Sequence, residues 1–188
     1  MDEQFIDSDI PKPTPQYSVR AGFLPRVGAV VIDYFLFSIV GMLVIGAYGV
    51  DMRLLSETMM SGGDWMAVFG DKYLIVNATT LTIRWFYFAQ QESSVYQATL
   101  GKRVVGLVVT DMDCQRVNFP QAALRAFWKE AYNIIPMFGL ALNLPLLGIL
   151  GLATVLGYFM QPFTEKKQAL HDIIGKTLVF QKQAVRPN

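Results

Sequence analysis

Charged residues lie inside, or at the mouth of, segments apolar enough to span a bilayer, and no other feature restricts this chain as strongly. Arg26 and Asp33 bracket Val27–Gly28–Ala29–Val30–Val31–Ile32, and Arg84 falls within the run from Tyr73 to Phe88. An ionised group in hydrocarbon costs at least about 2.5–3.5 kcal/mol, so such groups pair, hydrate or carry out a function. Of 188 residues, 53% are hydrophobic and 16% charged, whereas soluble domains run near 25% charged. These features predict a membrane protein with polar machinery inside it.

Hydropathy divides the chain into segments. Val27 to Tyr48 is about 22 residues, or roughly 33 Å of helix, enough to cross; Pro25 suits a first helical turn. The stretch from Asp51 to Lys72 carries two basic and four acidic residues and reads as an exposed loop with room for a short surface helix over Met52–Met60. A second segment runs from Tyr73 to Gln90. Its asparagine and threonines look toward protein or water, and Trp85, Tyr87 and Phe88 form an interfacial belt. Beyond it, Arg103 to Thr110 is β-branched and too short to span, so it reads as a strand. Asp111–Met112–Asp113 supplies a turn and Arg116–Phe119 a returning hairpin arm, with Lys176–Gln181 a candidate third strand.

Gln121 to Tyr132 is amphipathic and carries Arg125, Lys129 and Glu130. Asn133 to Met160 is apolar but interrupted at Pro136 and at Asn143–Leu144–Pro145, which fits one kinked helix or two short ones. Charge favours two: Lys102, Arg103 and Arg116, and the tail lysines from Lys166 onward, belong on the cytoplasmic side, and an odd number of crossings puts one basic region outside. The expected fold is an all-α polytopic membrane protein, a helical bundle of three to four membrane segments. Four are favoured, the last two a short hairpin, with a small cytoplasmic β-hairpin. Residues 1–16, with four acids, one lysine and three prolines, read as a disordered tail with no signal peptide. Residues 17–182 form the membrane domain, and 183–188 a C-terminal tail.

Three blocks carry a resemblance. They are Ala21–Gly22–Phe23–Leu24–Pro25–Arg26 followed by Asp33; Glu92–Ser93–Ser94 with Gln97–Ala98–Thr99–Leu100–Gly101–Lys102–Arg103; and Phe163 through His171–Asp172 to Gly175–Lys176–Thr177. In this order they resemble the RDD family of small integral membrane proteins, over about Tyr17 to Phe180. The family is named for one arginine and two aspartates, which by the motif fall on Arg26, Asp33 and Asp172. Two departures are Pro25, where many members have a second arginine, and Lys176, where they have a small residue. The resemblance implies a helical protein of a bacterial or archaeal plasma membrane. Some members are associated with sodium/proton exchange, and many are uncharacterised.

Arg26 and Asp33, seven residues apart, share a helix face. Asp33 lies roughly 10 Å inside the cytoplasmic boundary and Arg84 roughly 9 Å from the same side. The matched depths predict an Asp33–Arg84 pair across helices, extended by Asn77, Thr80 and Arg26, with Asp172 reaching Arg26 at the mouth. One reading is an ion or proton site in a secondary transporter or cation/proton exchanger, where carboxylate and hydroxyl oxygens suit a hard cation such as Na⁺. The other is a salt-bridge network that fixes helix packing, in a non-catalytic accessory or scaffold subunit. Glu92, with Ser93 and Ser94, reads as an entrance carboxylate or as a helix end among headgroups. Lys102 and Arg103 are expected at anionic headgroups. Gly101–Lys102–Arg103 lacks the glycine spacing of a phosphate loop. His171–Asp172 has no nucleophile beside it and reads as a capping pair. Gly148–Gly151 and Ala153–Gly157 offer close helix contact. With one cysteine, Cys114, and one histidine, no disulfide, metal site or cofactor is expected, and no enzymatic activity. The expected partners are membrane lipids, further copies of the chain or a membrane protein, and Na⁺ or H⁺, with no nucleic acid. The expected location is a bacterial inner membrane with both termini cytoplasmic.

Overall fold

The computed structural model describes residues 19–182, so both expected tails lie outside the described residues. The chain runs β1 (Val19–Arg20), α1 (Phe23–Ala47), α2 (Met52–Ser61), α3 (Trp65–Phe69), a 3₁₀ turn (Gly70–Lys72) and α4 (Tyr73–Ser93). It continues with α5 (Leu100–Val104), β2 (Leu107–Asp111), α6 (Phe119–Lys129), α7 (Ala131–Ala141) and α8 (Leu146–Phe159). A second 3₁₀ turn (Gln161–Phe163), α9 (Leu170–Ile174) and β3 (Thr177–Gln181) complete it.

The helix α1 is long because no residue after Pro25 interrupts it, and Pro25 lies in the first turn, where an N–H has no intrahelical partner. Among the described residues it is the one helix long and apolar enough to cross a bilayer, with hydropathy 2.3 and only 17% of its best window buried. Leu24, Val31, Phe35 and Leu43 leave its surface as exposed hydrocarbon. The 21 residues of α4 include Asn77, three threonines and Arg84, and that polar content keeps it below the same standard. The short helix expected near Met52–Met60 is α2, where Asp51 accepts from the Arg53 and Leu54 N–H groups and left-handed Gly62 closes the far end.

Between α7 and α8 the chain turns at Asn143, with φ 57°, so the apolar block is two helices rather than one kinked helix. Proximity of Gly139 to Leu147 and of Gly151 to Pro136 makes them an antiparallel hairpin. A Cβ on Gly151 would lie 2.4 Å from Pro136 Cγ, whereas one on Gly148 would meet nothing within 4 Å. Of the small residues read as contact points, Gly151 therefore serves the hairpin and Gly148 does not.

The sheet corrects one expectation. Its order is β1-β3-β2, all antiparallel, with Leu107 opposite Gln181, Val109 opposite Val179 and Asp111 opposite Thr177. The Arg116–Phe119 segment does not return as a strand; Asn118 caps α6 by accepting from the Gln121 N–H. Alternation supplies the reason. Leu107 and Val109 join Val179 in a core with Ala21, Ala29, Val117 and Ala122, while Val108, Leu178 and Phe180 pack on the opposite face. The predicted strand also starts late, because Leu100–Val104 is helical, capped by the Thr99 hydroxyl.

Candidate functional site

On α6 the residues buried at i, i+3, i+4 and i+7 are Ala122, Arg125, Ala126 and Lys129. The inward stripe of this helix thus carries two cations at positions where an apolar residue would ordinarily stand. Arg125 is 2% exposed. It donates through Nε (3.0 Å) and Nη2 (2.5 Å) to Asp172 Oδ1, and through Nη1 to Glu92. Glu92 also accepts from Lys102 Nζ at 2.6 Å, and Asp172 from Arg26 Nη1 at 2.5 Å and from its own helix start at Ala169 N–H. One chain of ion pairs, Lys102–Glu92–Arg125–Asp172–Arg26, therefore ties α5, α4, α6, α9 and α1 together. A buried network of this kind is stable only while each member keeps its partners.

Burial alone would raise the Asp172 carboxyl, but the Arg125 guanidinium, with that of Arg26, holds it well below the usual carboxylate range. Burial pushes His171 down to about 3, so its imidazole is neutral near pH 7. Burial, reinforced by Arg125, brings Lys102 down to about 7 against the pull of Glu92.

Asp33 stands apart from this chain. Its carboxylate, 2% exposed, accepts from Thr99 Oγ1 at 2.6 Å and from the Gly101 N–H at 2.8 Å. A Cβ on Gly101 would lie 2.1 Å from the Ala29 carbonyl oxygen, so only glycine lets α5 lie this close on α1. The expected Asp33–Arg84 pair is not formed. Arg84 donates instead to Glu130 Oε1 at 3.0 Å and to the Tyr132 hydroxyl at 3.3 Å, with its guanidinium over the Tyr34 ring. The reason is local supply: the Thr99–Gly101 turn brings two donors to Asp33, and α6 brings a carboxylate to Arg84. Asn77 and Thr80 bond carbonyls of their own helix and do not extend the polar strip. Lys102 is buried against Glu92 rather than lying at headgroups, and Glu92, in the last turn of α4 as expected, is wholly buried rather than among them. Arg103 is exposed and stacks on Tyr96 at 4.0 Å.

Beside the network lies a cavity of about 560 Å³. Its α1 wall is Phe23, Arg26, Val27, Val30, Val31 and Tyr34, one stripe of helical period, and its α8 wall is Val155, Tyr158 and Phe159. Phe23 and Phe159 approach with ring centroids 6.3 Å apart, and the hydroxyls of Tyr34 and Tyr132 meet. Arg84, Lys129, Glu130 and Gln161 also line it. Lys129 is 6% exposed, and its ammonium lies 3.4 Å above the Phe88 ring. It has no hydrogen-bond acceptor or ion-pair partner among the described residues. Nε of Arg26, Nε of Arg84 and Oε1 of Gln161 are likewise buried and unpartnered. No group of three or more His, Cys, Asp or Glu residues suited to a metal ion occurs among the described residues.

The family model of the RDD family matches residues 20–176. The chain belongs to the RDD family. The RDD arginine and second aspartate, by the motif Arg26 and Asp172, are bonded to each other, while the first aspartate, Asp33, clamps α5. A relative described as "Uncharacterized protein YxaI", from Bacillus subtilis (strain 168), is 28% identical over 166 residues, covering 86% of this chain and 97% of that one. No solved structure matches. Sequence reasoning about this RDD protein overlooked Arg125 as the centre of the network, Glu130 as the partner of Arg84 and Lys129 at the cavity. The signal was there in the amphipathic pattern of α6, whose buried stripe includes Arg125 and Lys129.

Proposed function

We propose that this chain is a small membrane carrier whose bound species is an anion, held in the cavity between α1 and α8. The observation that supports this is the Lys129 ammonium, which lines the cavity over the Phe88 ring and has no hydrogen-bonded carboxylate, although Glu92, Asp33 and Glu130 lie near enough to attract it. Each carboxylate of the network already receives a cation or N–H and O–H donors, which leaves little ligand capacity for Na⁺ and argues against cation exchange at Asp33. In this reading α1 and α4 cross the bilayer, the α7–α8 hairpin supplies the remaining two segments, and both termini are cytoplasmic. The exposed apolar faces meet lipid or further copies of the chain, and Arg103 meets headgroups. No catalysis is proposed.

A second reading, a non-catalytic scaffold, draws support from the same ion-pair chain, since five helices held by one network suit a rigid docking body. Reconstituted vesicles containing a pH-sensitive dye separate the two from exchange. An anion carrier gives no Na⁺-driven proton movement, and its melting temperature in detergent rises with phosphate in the wild type but not in Lys129→Gln. Na⁺-driven proton flux lost in a folded Asp33→Asn variant would falsify the anion reading. A stoichiometric co-purifying membrane protein, with no anion effect, would point to the scaffold.

A further inference from the structure

The cavity joins two chemistries. Its α1 stripe is mainly hydrocarbon, and Val27 (40% exposed) and Val31 (62% exposed) are among the open positions of that helix. Opposite, Phe159 is 56% exposed on α8. The stripe from Phe23 to Tyr34 spans about 16 Å of helix. Against this apolar length stands one ammonium, that of Lys129, over the Phe88 ring and without a hydrogen-bonded carboxylate. A volume near 560 Å³ lies within the roughly 300–1,000 Å³ range of ligand sites. A small anion meets the Lys129 ammonium but leaves the hydrocarbon wall uncovered. An amphiphile matches both parts, because its chain covers the valines and its acid meets the ammonium.

We infer that the cavity is a binding site for one anionic phospholipid of the surrounding bilayer, its phosphate held by Lys129 and an acyl chain lying along Val27, Val30 and Val31. This rests on the reading of the cavity as an anion site. Entry is lateral, between α1 and α8, whose outward faces are hydrocarbon on both sides of the opening. The phosphate accepts from Lys129, and a charge-assisted contact of this type is stronger than a neutral one.

The full chain, purified in a neutral detergent, is mixed with phosphatidylglycerol or phosphatidylcholine of identical acyl chains, and retained lipid is counted by native mass spectrometry. The expected result is one retained phosphatidylglycerol, preferred about tenfold or more, as one charge-assisted contact requires. Lys129→Gln removes the preference. Val31→Trp, which blocks the groove at an exposed position and leaves the charges alone, reduces retention of both lipids. Equal retention of the two lipids by the wild type overturns the inference, as does phosphatidylglycerol retention unchanged in Val31→Trp. If Lys129→Gln fails to fold, the Val31→Trp comparison decides alone. Inorganic phosphate separates the two levels: stabilisation by phosphate without lipid retention leaves the anion site standing and removes the lipid. Absence of both removes both.

Discussion

Asp172 shows how one side chain is fixed by its neighbours: it accepts from two arginines and from the first turn of its own helix, and it is fully buried. The adjacent His171 gives this corner a pH dependence. Its imidazole, buried and lowered to about 3, has an ordinary value near 6.5 in an unfolded chain. As pH falls below about 6.5 the unfolded chain takes up the proton first, so stability declines progressively between about pH 6.5 and pH 3. The loss reaches on the order of 3 kcal/mol by pH 4. Asp172, held well below its usual range, contributes stability that is complete above its ordinary value and disappears only as pH falls through its lower folded value. Melting curves in detergent from pH 8 to pH 4 should slope downward below 6.5 in the wild type and flatten in His171→Gln. Parallel slopes would place the sensitivity elsewhere.

The five-residue helix α5 is too short to be stable by itself and is held by what it lies on. Thr99 caps it from within, Asp33 caps it from α1, and Lys102 anchors it to Glu92. All three contacts depend on Gly101, because any Cβ there collides with the Ala29 carbonyl. Gly101→Ala should cost about 3 kcal/mol or more, through overpacking and loss of the Asp33 hydrogen bonds. Gly148→Ala in α8, where the added methyl meets nothing, should be neutral or slightly stabilising. Thermal unfolding of the two variants in one detergent checks this, and equal melting points would show that α5 moves freely off α1. The sheet makes a similar point about elements. The residues of β2 and β3 advertise strands by their β-branched alternation, but nothing near Asp111 says that the partner of β2 lies beyond two further apolar helices.

For the whole molecule the open quantity is orientation, and the single cysteine reports on it. Cys114 is partly exposed in the turn after β2, with φ 60°, on the same side of the fold as α5 and α9 through the sheet. If α1 and α4 cross as proposed, a membrane-impermeant maleimide labels Cys114 only after cells are opened. Ser61→Cys, in an otherwise cysteine-free Cys114→Ser background, is labelled in intact cells at the exposed end of α2. The reverse pattern inverts the orientation, and labelling of both from one side means that α1 and α4 do not form a spanning pair. The apolar arms α7 and α8, about 16 and 21 Å long at 1.5 Å per residue, fall short of the ~30 Å hydrocarbon core. A hairpin this short crosses only where the bilayer thins around it.

By itself the sequence determined what contiguous residues encode: the apolar length of α1, the polar face of α4, the break at Asn143, the strands β2 and β3, and the motif that places Arg26 with Asp172. Tertiary structure alone decided which charges meet. Asp33 was legible as a buried acid, but its donors arrive from a turn 66 and 68 residues away, and Arg125 joins Glu92 to Asp172 across 33 and 47 residues. Hydropathy and propensity act along the chain, where neighbours are fixed by covalent order. Pairing of buried charges acts through space, between whichever donors the packing of distant helices brings within about 3 Å.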